Sequence, residues 1–239
     1  MAFYPGTVEL PTQKQPSPWS AEMRALVAWS GGKDAAWALH LSRLQGVQVA
    51  GLLTTMAGDR VAMHDVRGAL VEAQAAAAGL PLWKVPLPWP CPNVEYESAM
   101  RAHLARARGD GIEAVVFGDL FLADIRAYRE SLLAGTGVRP LFPLWGGDTA
   151  ALAREMLAGG LRATIVCVDL GKLPAGFAGR DFDEALLADL PAGCDPCGEN
   201  GELHTFAWGG PMFRAPVPIA RGPIEERGGF AFADLLPAG

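Results

Sequence analysis

The sequence predicts an α/β protein: a five-stranded parallel sheet with helices on both faces, followed by a smaller C-terminal lobe. Three observations lead there. Up to residue 168, short apolar runs alternate with helix-period segments, the pattern of a parallel sheet whose crossovers are helical. The run at 47–53 is rich in apolar and β-branched residues, as a strand buried on both faces should be. After Asp169 glycine and proline become dense and helical periodicity fades, which marks a change of architecture.

The elements follow in order. The first strand, 26–29, stops abruptly at Ser30-Gly31-Gly32, and a helix over 35–44 ends near Gly46. The second strand is 47–53. Asp65 can cap a helix running to Ala78, where Gly79 and Pro81 supply a stop. The third strand, 82–85, leads into a proline-rich segment, and Asn93 caps a helix to about 108. A fourth strand over 114–117 closes at Gly118-Asp119, with a helix from 123 to 134 behind it. Asp148 caps another helix to 158, and 163–168 makes the fifth strand. The segment 193–213 packs many polar groups between turns.

Bulk properties narrow the function. Half of the 239 residues are hydrophobic, enough for a continuous core. A net charge of −6 leaves no electrostatic footprint for nucleic acid. Arg101, Arg106 and Arg108 lie in a helical run and read as a solvated face. No apolar stretch approaches the roughly 20 residues of a membrane span. The first residues carry Pro5, Pro11, Pro16 and Pro18 without an apolar segment, so a signal peptide is not expected. The four cysteines make no disulfide framework and suit a reducing cytoplasm. The chain is compatible with a homodimer but carries nothing that demonstrates one.

The chemistry concentrates at Ser30-Gly31-Gly32-Lys33-Asp34, between a strand and a helix. Two glycines let the backbone turn tightly and approach an anion, and the helix offers unpaired N–H groups and its positive end. Ser30 adds a hydroxyl and Lys33 a mobile positive charge, while Asp34 suits holding the loop or a metal. The spacing is neither a Walker A loop nor G-x-G-x-x-G. Ligands of open parallel sheets bind where the strand order reverses. If the first and fourth strands are neighbours there, Gly118 and Asp119 face the loop, Asp119 can bind Mg²⁺ or a polar group, and Arg126 can reach a phosphate.

Further on, Glu199, Asn200, Glu202, His204 and Thr205 crowd hydrogen-bonding side chains together. In an extended segment Glu202 and His204 share one face, and the carboxylate would raise the imidazole pKa to make an acid–base pair. A polar turn in solvent is the competing reading. Cys194 and Cys197 have C-x-x-C spacing but sit in a Gly/Pro loop with only His204 nearby as a further ligand and Cys91 and Cys167 remote, which favours packing over a metal or redox role. His40, His64 and His103 have no partner pattern.

The loop resembles the PP-loop of the ATP pyrophosphatases, with their Rossmann-like HUP fold. More closely, the chain is similar to the diphthine–ammonia ligase family. The likeness rests on Trp29-Ser30-Gly31-Gly32-Lys33-Asp34, on Phe117-Gly118-Asp119 with Arg126, on the block from Pro140 through Leu141-Phe142-Pro143-Leu144 to Trp145, and on Gly198-Glu199-Asn200-Gly201-Glu202-Leu203-His204-Thr205. Two positions depart from the pattern: Ala35 stands where a Ser is usual, and Asn200 where a Gly is usual.

The resemblance implies an ATP-binding domain over 23–135, a substrate lobe over 136–239 and an irregular extension over 1–22. It implies ATP and Mg²⁺ as cofactors, held by Ser30, Gly31, Gly32, Lys33, Asp34, Gly118, Asp119 and Arg126, with Asp34 and Asp119 toward the metal. A carboxylate would be adenylated, releasing pyrophosphate, and ammonia or another nitrogen donor would displace AMP. Lys33, Asp34, Asp119, Glu199, Glu202 and His204 are the implied catalytic residues. Asn200, Glu202, His204, Thr205 and Trp145 would hold the unidentified carboxylate substrate. A non-catalytic nucleotide-binding module, a tRNA-modifying PP-loop enzyme and a thiol-based sulfur-transfer enzyme are the rival readings.

Overall fold

A computed structural model describes residues 23–62 and 65–238. The expected N-terminal extension and His64 lie outside the described residues. The chain runs β1 (Arg24–Ala28), α1 (Lys33–Leu44), β2 (Gln48–Ala57), β3 (Arg60–Val61), α2 (Gly68–Ala78), β4 (Leu82–Leu87), α3 (Asn93–Gly109) and β5 (Ala114–Val116). There follow α4 (Ala123–Leu133), β6 (Arg139–Leu141), α5 (Thr149–Ala158), β7 (Arg162–Asp169) and α6 (Glu184–Asp189). Three strands end the chain: β8 (Leu203–Gly209), β9 (Ile219–Arg227) and β10 (Phe230–Pro237).

The first sheet holds five parallel strands in the order β4-β2-β1-β5-β6, with short β3 folded back antiparallel on the end of β2. The chain builds outward from β1 to β2 and β4, then returns to β5 on the other side of β1. Leu26 pairs with Gly51 on one side and Val115 on the other. The order therefore reverses between β1 and β5, and the two loops expected to face each other do so across this crevice.

One expected strand belongs elsewhere. The run 163–168 is not the fifth parallel strand. As β7 it lies in the middle of a second, antiparallel sheet ordered β8-β7-β10-β9. Its residues 163–168 are all buried, so it carries the continuous apolar pattern that parallel strands also show. The fifth parallel strand is β6, three residues long with Pro140 in it. A strand that short gives little periodicity, and its place at the sheet edge is where proline is tolerated. The first sheet thus continues to residue 141.

Helix ends follow local chemistry unevenly. Asp148 caps α5 by accepting from the Ala151 amide at 2.7 Å, and Gly79 ends α2 in the left-handed conformation at φ 67°. Asp65 and Asn93 do not cap. Arg67 precedes α2, while Asp65 turns its carboxylate to Arg60 and Arg227. Pro92 precedes α3, and the Asn93 side chain is taken by Glu97 and Tyr128.

Each face of the first sheet has its own core. On one side Leu26, Leu53, Val85 and Phe117 pack with Leu104 of α3 and Leu132 of α4. On the other, Val27, Leu52 and Val116 pack with Leu39 of α1 and Leu70 of α2, and this core runs on into Ile165, Phe206 and Leu235 of the second sheet. The two sheets are therefore welded through shared apolar side chains. Among the described residues no helix is long and apolar enough to cross a membrane.

Candidate functional site

The β1–α1 loop is built from backbone geometry. Gly31 takes φ +83°, a conformation that an L side chain strains to adopt. Its carbonyl accepts from the Ala207 amide at 2.8 Å and from Gln74 Nε2 at 2.9 Å. The Gly32 amide donates to Ser30 Oγ at 3.2 Å, and the Lys33 amide donates to Thr205 Oγ1 at 3.0 Å. Strand β8 thus lies directly against the loop. On the other side Gly118 touches the first turn of α1: a Cβ there would stand 2.8 Å from the Asp34 carbonyl carbon. Only glycine permits that approach.

Lys33 differs from expectation. Its charge is not mobile but only 2% exposed, with Nζ donating to Asp34 Oδ1 at 3.0 Å, to Asp34 Oδ2 at 2.8 Å and to the Cys197 carbonyl. Burial works against its charge, but Asp34, the Cys197 thiol and Asp195 outweigh this and hold its pKa above the ordinary value. Burial pushes the Asp34 carboxyl upward against the pull of Lys33.

A second group of carboxylates closes on this pair. Glu199 accepts from the Leu120 amide at 2.7 Å and, at 3.4 Å, from that of Phe121, the two residues that follow Gly118-Asp119. Burial pushes its pKa up to about 7, the two amide bonds oppose this, and Asp34 and Asp119 reinforce it. Asp119 is itself raised, chiefly by burial, and its Oδ2 lies 3.7 Å from Arg129 Nε. Asp34, Asp119 and Glu199 therefore feel one another's charge, as the strand reversal requires.

The 199–205 segment serves the loop more than expected. Glu202, 4% exposed, accepts from the Asp195 amide at 3.1 Å and from Asn200 Nδ2 at 3.0 Å, shaping the turn. The expected rise in the His204 pKa does not occur. Burial, helped by the nearby charge of Lys33, lowers it. Asn200 stands where backbone freedom is not required, because the left-handed positions are its neighbours Gly198 (φ 72°) and Gly201 (φ 80°). Its side chain braces Glu202, and Lys172 Nζ binds its carbonyl at 2.6 Å.

Arg126 is held by Glu130 at 2.8 Å and lies 4.9 Å from the Phe142 ring and 4.8 Å from that of Trp145. Phe142 stacks on Phe117, which Arg129 covers from 5.1 Å. Arg126 and Trp145 thus belong to one guanidinium–aromatic ladder beside Asp119. Cys194 and Cys197 are free thiols, and Cys197 Sγ lies against the Thr149 carbonyl at 3.4 Å. Sequence reasoning missed Arg129 and Gln74. The signal for Gln74 was a single amide inside an alanine-rich helix face, which composition alone reads as good helix former.

Residues 23–140 match the family model described as the diphthamide synthase N-terminal domain, and 148–231 match the diphthamide synthase C-terminal domain. The chain belongs to the diphthamide synthase family. Among curated relatives, the diphthine–ammonia ligase of Bos taurus is 25% identical over 238 residues, covering 89% of each chain. That of Danio rerio is 26% identical over 226 residues, covering 82% of this chain and 86% of its own. The Homo sapiens enzyme is 25% identical over 238 residues. As a member of this PP-loop family the chain is an ATP-dependent ligase, and neither a non-catalytic nucleotide module nor a tRNA-modifying enzyme is favoured.

Proposed function

We propose that the chain joins ammonia to a carboxylate through an acyl-adenylate, at the crevice where the 199–205 segment meets the β1–α1 loop. The observation that carries this reading is that one short stretch supplies three groups to the loop's surroundings. These are the Cys197 carbonyl on Lys33 Nζ, the Glu199 carboxylate on the Leu120 amide and the Thr205 hydroxyl on the Lys33 amide. Phosphate loop and substrate segment are one constellation.

ATP fits the residues present. The glycine cradle and the first-turn amides of α1 suit an anion, and Ser30 adds a hydroxyl. A carboxylate oxygen attacks the α-phosphorus, and the bond to the β-phosphate oxygen breaks, releasing pyrophosphate. Ammonia attacks the acyl carbon, AMP leaves with the bonding pair, and one proton must be removed from nitrogen. Glu199, half ionised near pH 7, is the group suited to accept it. The protein contributes mostly position and fixed charge, since phosphoryl transfer asks little covalent work of it.

A protein-built Mg²⁺ cage does not fit. Among the described residues no group of three or more His, Cys, Asp or Glu could hold a metal, and both Asp34 oxygens are taken by Lys33. Mg²⁺ would ride on the nucleotide phosphates with few protein ligands, and Asp119, whose Oδ2 has no hydrogen-bond partner among the described residues, would be the carboxylate to join them. The acceptor is of the diphthine class that the relatives' names state. Four free cysteines support a reducing, cytoplasmic setting. Hydroxylamine in place of ammonia provides the test: trapping the acyl-adenylate yields a hydroxamate of the acceptor. A turnover that consumes ATP without hydroxamate would contradict the intermediate.

A further inference from the structure

We propose that Gln74 is the positioning residue of the phosphate loop, fixing the direction of the Gly32 N–H and tying the loop to the second sheet. The proposal rests on the nucleotide-binding reading of this loop and extends it to a helix that no part of that reading uses.

Gln74 is fully buried in the middle of α2. Its Oε1 accepts from Trp29 Nε1 at 2.8 Å, and its Nε2 donates to the Gly31 carbonyl at 2.9 Å and to the Ala207 carbonyl at 2.5 Å. These partners admit one orientation of the amide, because an indole N–H only donates and a carbonyl only accepts. A buried amide surrounded by apolar residues is costly unless satisfied, so its satisfaction selects this arrangement over a looser one.

The consequence for the loop follows from peptide geometry. The Gly31 carbonyl and the Gly32 N–H belong to one planar trans peptide and point in opposite directions. Gln74 and the Ala207 amide together hold that carbonyl toward α2 and β8. The Gly32 N–H is thereby aimed at the other side, where Ser30 Oγ stands 3.2 Å away. The left-handed Gly31 leaves this peptide with little steric guidance of its own, since glycine tolerates many orientations. The guidance comes from the Gln74 amide together with the Ala207 N–H. Because the same Nε2 also holds the Ala207 carbonyl, one side chain reaches both the loop and β8.

The test compares three variants in the full chain. Gln74→Met keeps the volume and removes all three bonds. Gln74→Glu keeps the size and the Trp29 bond, and serves where the methionine variant does not fold. Trp29→Phe removes the bond from the indole, with part of the ring that packs near Phe213, and leaves both bonds to Gly31 and Ala207. Two readouts are taken: affinity for α,β-methylene-ATP by calorimetry, and the amide resonances of Gly31 and Gly32 in the ligand-free proteins. The expected result is a tenfold or greater loss of affinity and a displaced Gly32 resonance in both Gln74 variants. Trp29→Phe stays within threefold of wild type, with Gly32 unmoved. Wild-type affinity with an unmoved Gly32 in the Gln74 variants would overturn the proposal. So would losses in all three variants that simply track their thermal stability. If the wild-type chain itself did not bind the analogue, the nucleotide reading would fall, while the ligand-free resonances would still decide the positioning role.

Discussion

The backbone amide of Lys33 donates to the hydroxyl of Thr205 at 3.0 Å, across 172 positions of sequence. The bond joins the first turn of α1 in the parallel sheet to β8 in the antiparallel one. The Thr205 hydroxyl, on a side chain only 3% exposed, thus caps the first turn of α1.

Thr205→Val leaves that amide buried without a partner, which costs about 1–3 kcal/mol. Thr205→Ser retains the acceptor and should lose less than half as much. Denaturant unfolding of the two variants measures the difference, and a larger loss in Thr205→Ser than in Thr205→Val would assign the effect to packing of the methyl group.

Lys33 and Asp34 are a coupled pair, so their substitutions should not add. Lys33→Met strands a carboxylate and the Cys197 carbonyl, at a cost of about 3 kcal/mol. Adding Asp34→Asn to it should restore part of that stability. A double-mutant cycle with an interaction energy near zero would show that the two side chains act independently.

Much of this was legible beforehand, for reasons that can be named. The loop and Gly118-Asp119 were readable because a glycine turn between strand and helix has few alternative uses, and the reversal of strand order then places the two together. Asp148 and Gly79 were readable because capping is local. The exchange of β7 for β6 was not, since an apolar run does not say which sheet it enters and a three-residue strand says almost nothing. The inward turn of Lys33 was also hidden. It depends on a carbonyl 164 positions away, which no local pattern carries.

The pH dependence should be governed by Glu199. Its carboxyl is raised from 4.5 to about 7 in the fold, so the native state binds the proton more tightly than the unfolded chain. The stability this contributes is complete below about 4.5 and is lost as pH rises through about 7. Glu199→Gln should flatten that decline, as read from thermal unfolding between pH 4 and 8. Where the ionised carboxylate accepts the ammonia proton, the rate of amide formation should climb through pH 7 in the wild type and lose that limb in the variant.

The thiols should prove uninvolved. Burial pushes the Cys197 pKa up to about 12 and that of Cys194 up to about 11, so neither forms appreciable thiolate at pH 8. Iodoacetamide should modify the partly exposed Cys91 first and leave amide formation intact. Inactivation that follows labelling of Cys194 or Cys197 in the folded protein would revive thiol-based sulfur transfer.

The central claim is that a carboxylate oxygen attacks the α-phosphorus of ATP. Its most direct test carries ¹⁸O in the carboxylate of a diphthine-bearing acceptor, with ATP, Mg²⁺ and ammonium, and follows the label by mass spectrometry. Adenylation predicts AMP and pyrophosphate, with one ¹⁸O transferred to AMP for each amide formed. ADP accompanied by labelled inorganic phosphate, or AMP without label, would contradict it.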